Sequence, residues 1–441
     1  MSSTVTETTQ GAERAFLDFH KKCMDKAGPS EPFSSANASA LSRFEALKFP
    51  HSKHEMFTFV NTKGLAGTVF EPVQANTVSP DFIRKNIFAG CESSHLVIVD
   101  GVFRPEFSNP IAFGTQLKIT PLGQAVSNPA VKQWLCDTIE KEDDVFASIN
   151  GALLRQGVVL EVPPNTQLET PLQILHVSTG SGSAPVMVTP RVLVKVGRLS
   201  ELKLIVKFAG VQGNYFVNAV QDFVVEDGGS LTLTQVQADP FAAWNFCKNR
   251  FSLVNDSRVD AYSATQGSRL TRLHNEARLK APGAEFRLQG VSILTGEDQA
   301  HNYIRIHHEA PHCTSHQHFK NVIDGKGRSS FDGTVIVNRG AQQTDSEQLI
   351  NNLLLSDEGH ADNKPNLMIF ADDVKCTHGA TVGQIDPNQL FYLTTRGFSE
   401  QKAKELLTKS FARSIIQSIP FPAVVEELDT LLLKKLEVRR D

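Results

Sequence analysis

The sequence predicts a mainly-β chain, a solenoid core carried between helical ends, on three observations. Period-2 apolar alternation takes over from about Ile119, the alternating segments recur at a near-constant step, and apolar residues toward both ends recur at helical spacing instead. The alternation is clear in Val192, Val194 and Val196, and in Leu202, Leu204, Val206 and Phe208. It returns at Leu231/Leu233, Val259/Tyr262 and Phe286/Leu288. Turn-forming clusters precede these segments, at Gly197–Ser200, Asp227–Ser230, Asn255–Ser257 and Ala281–Gly283. The first apolar residue advances by 29 from Leu202 to Leu231, by 28 to Val259 and by 27 to Phe286. A fixed advance of that size is the signature of coils that each cover the next. A β-sandwich with hairpins of similar length gives the same alternation and stays open on pattern alone.

Taken in order, the first helix is expected over 12–27, where Ala12, Ala15, Phe16, Phe19 and Cys23 share one face. A second is expected over Asn37–Leu47, with Asn37 or Ser39 as N-cap and Pro50 beyond its end. Residues 55–115 carry no assignable pattern. After the β region, Ser399–Gln417 reads as a helix with Ala403, Leu406, Leu407, Phe411 and Ile415 on one face, broken by Ile419-Pro-Phe-Pro422. Val424–Val438 reads as another, its apolar stripe including Leu428 and Leu432, with Glu426/Glu427 early and Lys434/Lys435 late as the helix dipole favours. Such a pair either covers its own core or presents a docking surface. The chain thus divides into an N-terminal mixed, helix-containing region (1–115), a β core (116–385) and a C-terminal helical domain (386–441).

Composition narrows the function. A length of 441 residues sets a prior of about three domains, although a repeat fold can run longer as one unit. An apolar share of 40% is enough for a core throughout, which excludes a disordered chain. Lys+Arg 44 against Asp+Glu 48 leaves a net charge of −4, against a nucleic-acid binder. The polar start, Met1 to Gly11, carries no signal-peptide pattern, and no apolar run approaches the ~20 residues of a membrane helix, so a cytoplasmic chain is expected. Six cysteines are scattered with no C-x-x-C pair, against a zinc ribbon or ferredoxin site within one chain. Reduced thiols are the expected state.

Two clusters carry chemistry. Six of the 14 histidines lie between His301 and His318: His301, His307, His308, His312, His316 and His318. His308-Glu309-Ala310-Pro311-His312 matches the H-E-x-x-H protease pattern in letters only, because that chemistry needs a helix and Pro311 removes an amide from it. His316 and His318 share a strand face and keep a metal reading open, against one in which the histidines hydrogen-bond along the solenoid wall. The second cluster is Ala371-Asp372-Asp373-Val374-Lys375-Cys376-Thr377-His378-Gly379-Ala380-Thr381. On a strand, Cys376 and His378 point the same way, ~6.6 Å apart at Cα, suited to one soft metal or to a nucleophile–base pair, with Lys375 placed to lower the thiol pKa. Asp372-Asp373 marks a turn or bulge that resets the register. A small buried cysteine beside a hydrogen-bonded histidine is the structural alternative. P-loop, G-x-S-x-G and strand-following G-x-G-x-x-G motifs are all absent from the sequence.

Residues from about His301 to Phe411 resemble the SufB/SufD family of the SUF iron–sulfur cluster assembly scaffold. The resemblance is carried by Ala341-Gln342-Gln343-Thr344, Leu353-Leu354-Leu355-Ser356, Pro365, the Ala371–Gly383 run and Leu390-Phe391-Tyr392-Leu393-Thr394-Thr395-Arg396-Gly397. Pro311-His312-Cys313-Thr314-Ser315 and Phe331-Asp332-Gly333 also fit, although His316 stands where the family often has Arg, and the region before about residue 110 is similar only loosely. The Cys-Thr-His-Gly-Ala form points to the SufD branch, since the SufB branch has His-Glu-Ala there. The resemblance implies a right-handed parallel β-helix, a heterodimer with a SufB paralogue, and SufC ATPase docking through the C-terminal helices, with Phe411, Ile415, Leu428 and Leu432 as docking residues. It places Cys376 and His378 near the heterodimer interface as the cluster-assembly residues and metal ligands, His378 first. It implies no cofactor bound stably by this chain alone, only a transient cluster in the complex, and a homodimer as an option in isolation. It implies a scaffold rather than an enzyme. A SufB-branch scaffold and a β-helix carbohydrate-active enzyme are the competing readings. The second lacks clustered carboxylates, Asp372/Asp373 being the one tight acidic pair in the region.

Overall fold

From Glu201 onward the chain climbs by alternating between two sheets, as the computed structural model shows for residues 2–27, 32–51, 54–73, 77–180 and 184–437. Strands Glu201–Gly210, Ser230–Ala238, Arg258–Thr265, Glu285–Leu294, Thr314–Ile323, Thr344–Leu354 and Val374–Gly383 stack in one sheet. Strands Tyr215–Val225, Trp244–Leu253, Leu270–Leu279, Gln299–His308, Arg328–Val337 and His360–Ile369 stack in the other. Each strand pairs in parallel with the strand two places on. Hairpins of a sandwich would pair consecutive strands antiparallel, so the fold is a β-solenoid. The register confirms the step read from sequence, with Leu202 opposite Leu231, Leu231 opposite Val259 and Val259 opposite Phe286.

The turns stack as the strands do. Leu199, Asp256, His312 and Gln343 sit at φ +53, +52, +58 and +58, one per coil, with Gly228 and Gly283 at the intervening places. The amide of each turn is held by the next coil, His312 N–H by Gln342 O and Gln343 N–H by Asp373 O. At Gly283 a Cβ would lie 2.1 Å from Asp256 Oδ1, so glycine is required by contact as well as by its positive φ.

Inward side chains form a continuous apolar core through Val194, Leu204, Phe223, Leu233, Phe251, Leu288 and Val335. The N-terminal region packs on the outside of the sheet that contains Tyr215–Val225 and Trp244–Leu253, through an aromatic cluster in which Phe146 meets Phe16, Phe57, Phe216 and Phe246. The C-terminal helices cover the outside of the other sheet, against Ile205, Val236, Val291 and Ile293. The N-terminal cover explains what the periodicity missed. Strand Tyr215–Val225 is buried on both faces at all but one position, so it shows no alternation to read.

Helix boundaries depart from expectation where tertiary contacts intervene. The first helix runs Ser2–Ala27 and the second Ser34–Leu47. Asn37 does not cap the second helix; it is buried, and its Nδ2 donates to Gly151 O and Leu154 O. The expected boundary at 116 falls within the helical cap, because Leu122–Ala125, Pro129–Glu140 and Val145–Ala152 are helices. Conversely His95–Val99, inside the unassigned stretch, is a strand pairing in parallel with Leu172–Ser178. At the other end, Glu400–Ile416 is N-capped by Ser399, and the last helix runs Pro422–Glu437, with Val438 outside the described residues. Among the described residues no helix is long and apolar enough to cross a membrane.

Candidate functional site at the open end of the solenoid

Both ladders stop at the same end, with Val374–Gly383 as the last strand of one sheet and His360–Ile369 of the other. No further strand covers their outer edges among the described residues, and apolar side chains stand exposed there: Met368, Ile369, Phe370 and Val382. Phe391 and Tyr392, on the helix Pro387–Thr395 that follows, are exposed by 69% and 58%. In sequence these residues look like core; only the end of the stack makes them surface. A long uncovered edge with apolar flanks is a template for another chain.

Cys376 and His378 lie on this last strand. Asp372-Asp373 is the bend that carries the chain from one sheet to the other. Cys376 sits opposite Ser346 and His378 opposite Gln348 in the ladder. These are the ends of two inward columns, Leu202–Leu231–Val259–Phe286–Ser315–Ser346–Cys376 and Leu204–Leu233–Ala261–Leu288–Gln317–Gln348–His378. The two side chains therefore share the inward face, as the i, i+2 spacing predicts. Cys376 is half-buried against the solenoid core, and His378 is exposed because no coil follows.

Lys375 does not do what its position suggests. It points to the opposite face, where its Nζ is 3.8 Å from Asp345 Oδ2. Burial first, and then the Asp345 charge, push the Cys376 thiol above its ordinary range. A thiol held this way would serve as a ligand only where a metal cation displaces its proton. One sulfur and one imidazole make half of a tetrahedral set. Among the described residues no three His, Cys, Asp or Glu side chains converge on a metal position, so a metal held by this pair would need ligands from outside them.

The histidine-rich stretch disperses. His308 points inward, its Nε2 2.8 Å from Ser315 Oγ. His312 is in a turn, which removes any helical reading of the protease-like pattern. His301 is buried beneath the N-terminal region with Nδ1 2.7 Å from Ser330 Oγ, and burial holds its pKa down to about 3. His316 and His318 do share the outer face, but they approach Asp345 and Asn351 respectively. Hydrogen bonds along the wall account for His301, His308, His316 and His318.

The residues expected to dock a partner turn the other way. Ile415, Leu428 and Leu432 are buried at 2%, 2% and 0% exposure, sealing the helices onto the sheet, and Phe411 is half-buried beneath Lys320 Nζ at 4.8 Å. The stripe serves the chain's own core. The outward side of the same helices carries a groove of 660 Å³ lined by Ile419, Pro422, Val425 and Leu433, with Glu426 and Asp429 beside them.

Comparison with known proteins agrees with this architecture. Residues 176–411 match the family model for the SUF system FeS cluster assembly SufBD core domain, and residues 12–174 match the SufBD protein N-terminal region. The chain is 29% identical over 397 residues to an iron–sulfur cluster assembly SufBD family protein of Synechocystis, covering 86% of each chain. It is 27% identical over 372 residues to the iron–sulfur cluster assembly protein SufD of Escherichia coli, covering 84% of this chain and 85% of that one. With its solenoid inside the core match and its helical cap inside the N-terminal match, the chain belongs to the SufBD family of SUF-system iron–sulfur cluster assembly proteins.

Proposed function

We propose that the chain acts as a SufD-type subunit: a non-catalytic scaffold that pairs with a SufB paralogue through the open end of its solenoid and presents Cys376 and His378 where a nascent cluster forms. The observation that carries this reading is the coincidence of three features at one place. The two uncovered strand edges, the exposed apolar residues and the inward-facing Cys/His pair all occupy the last coil. A strand edge added by a partner would supply the missing hydrogen bonds and bury Phe370 and Val382. It would also bring the ligands that Cys376 and His378 lack. The cluster is cargo here, built from iron and sulfide that reach the interface. The imidazole is the more available donor, because the thiol must first lose a proton that burial holds on.

ATP hydrolysis belongs to a partner in this reading, since the sequence has no P-loop. The outward groove at Ile419, Val425 and Leu433, rather than the buried stripe, is the surface we assign to an ATPase of the SufC type. The test is reconstitution. His378→Ala, co-purified with the SufB paralogue and SufC, is expected to assemble the complex normally and to yield no cluster by iron and sulfide analysis. Cluster formation at the wild-type level in that variant overturns the assignment of the site.

A further inference from the structure

Ladder bonds alternate sides along a strand, residue by residue. In Thr344–Leu354 the odd-numbered residues face the preceding coil, as Asp345 N–H to Cys313 O shows. The even-numbered ones therefore bond Val374–Gly383, where Cys376, His378, Ala380 and Val382 are left with N–H and C=O directed at the free edge. In His360–Ile369 the even-numbered residues face the preceding coil, since His360 N–H reaches Gly327 O. The free edge there falls to the odd-numbered residues and includes Pro365, which has no N–H. The two edges are thus unequal. The one that carries the cysteine and the histidine is unbroken, and the other lacks a donor near its middle. The outer face of the unbroken edge also ends a ladder of charge. Arg258 is 3.7 Å from Glu285 on the next coil, Asp260 is 2.9 Å from Arg287, and Asp345 is 3.8 Å from Lys375. Lys375 stands on the last coil with its side chain 80% exposed, and the Asp345 carboxylate it leans on is shared with His316 Nε2 at 3.5 Å. The other outer-face residues of that strand are Thr377, Gly379, Thr381 and Gly383, so a second copy pairing through the same strand would bring a lysine and no carboxylate.

We propose that Lys375 selects the partner and its register: the strand that adds to this edge comes from a different chain and sets a carboxylate beside Lys375. This rests on the open-end reading above and deepens it. Main-chain bonds to an added strand give affinity without specificity, which falls to the side chains along the edge. Register matters here because a slip by one residue turns every side chain of the added strand to the other face. The partner's inward side chains, the ones placed to complete a site with Cys376 and His378, would then point outward. The test is the affinity of the full chain for the SufB paralogue, measured by calorimetric titration. Lys375→Glu is expected to weaken binding about tenfold or more by setting like charges together, and Lys375→Arg to retain it. One Asp→Lys or Glu→Lys change in the paralogue's facing strand is expected to restore the affinity of Lys375→Glu. Both variants of this chain should keep the wild-type melting curve, because the Lys375–Asp345 pair is exposed. Phe370→Asp serves as the control for the open end itself. Unchanged affinity in Lys375→Glu, with Phe370→Asp weakened, overturns this inference and leaves the open-end reading standing; unchanged affinity in both removes that reading as well. Self-association of the chain as tight as its binding of the paralogue also overturns the inference.

Discussion

Replacing Asp144 should loosen the junction between the N-terminal cap and the solenoid more than any single surface change. Its carboxylate is buried at 1% exposure and has two tasks. Oδ1 accepts from Phe146 N at 2.9 Å, capping the helix Val145–Ala152. Oδ2 accepts from Arg272 Nη1 at 2.7 Å and from His274 Nδ1 at 2.8 Å. Arg272 is itself buried at 2%, pressed on the Phe57 ring at 4.3 Å, with Nε and Nη2 unpartnered. Asp144→Ala removes the cap, a loss of about 1 kcal/mol, and leaves the guanidinium buried without a counter-charge, about 3–5 kcal/mol. Asp144→Asn keeps an oxygen at the cap and should cost less. Urea denaturation followed by tryptophan fluorescence measures both. Burial alone would raise the Asp144 pKa, but the Arg272 charge and the His274 hydrogen bond overcome it and hold it well below the usual carboxylate range. The stability it contributes is therefore present above the unfolded value of ~3.9 and is lost as pH falls through the folded one, so the gap between wild type and Asp144→Ala should narrow in acid. A cost below about 1 kcal/mol at neutral pH, the size of an exposed ion pair, refutes this account of the junction.

Three further outcomes are expected. Asp239, buried with Tyr215 O–H donating at 2.6 Å, is pushed up to about 6 by burial, so its contribution to stability should fall as pH rises from ~4 to 6, and the stability difference between wild type and Asp239→Asn should shrink over that range, as melts of both will show. Lys435 reaches from the last helix to Ile293 O at 2.8 Å and Asp298 Oδ2 at 2.7 Å; Lys435→Met should free that helix, read as faster amide exchange over Pro422–Glu437 with the solenoid unchanged. Leu432→Ala should cost about 2–5 kcal/mol of stability, whereas Leu433→Glu, on the outward groove, should leave the melt unchanged and weaken ATPase docking in pull-down.

How much of this was legible in the sequence depended on whether each strand had one dry face or two. In the sheet that begins with Glu201–Gly210, strands such as Glu201–Gly210 and Ser230–Ala238 keep polar residues on the outer face at their first positions, so Leu202/Leu204 and Leu231/Leu233 alternate visibly and their step is the true register. Strands Tyr215–Val225 and Trp244–Leu253 of the other sheet lie under the N-terminal cap and are buried on both faces at nearly every position, so they show no alternation to read. The Cys376/His378 pair was readable because i, i+2 on a strand is geometry that needs no tertiary knowledge. The docking stripe was not, since an amphipathic helix shows an apolar face without showing what it meets. Lys375 misled for a related reason: adjacency in sequence on a strand means opposite faces, and its charge went to Asp345 instead of the thiol.

The inward columns give a physical reason for the open end to seek a partner. Through the early coils they hold Leu202, Leu231, Val259 and Phe286, and Leu204, Leu233, Ala261 and Leu288, all essentially inaccessible. From there the same columns become Ser315, Ser346 and Cys376, and Gln317, Gln348 and His378. Each exchange of a buried leucine for a glutamine forgoes about 2 kcal/mol of apolar burial. The Gln317 and Gln348 amides find no hydrogen-bond partner despite 1% and 0% exposure, which adds a desolvation cost. The final strand edges have no ladder beyond them, and Phe370 and Val382 remain in water. A chain selected to stand alone would cap such an end with charge or a covering helix. Here two columns of the core become polar toward the end that carries the cysteine and the histidine, while apolar side chains stand exposed on the rim around them. That distribution favours an interface that closes over a polar, ligand-bearing centre.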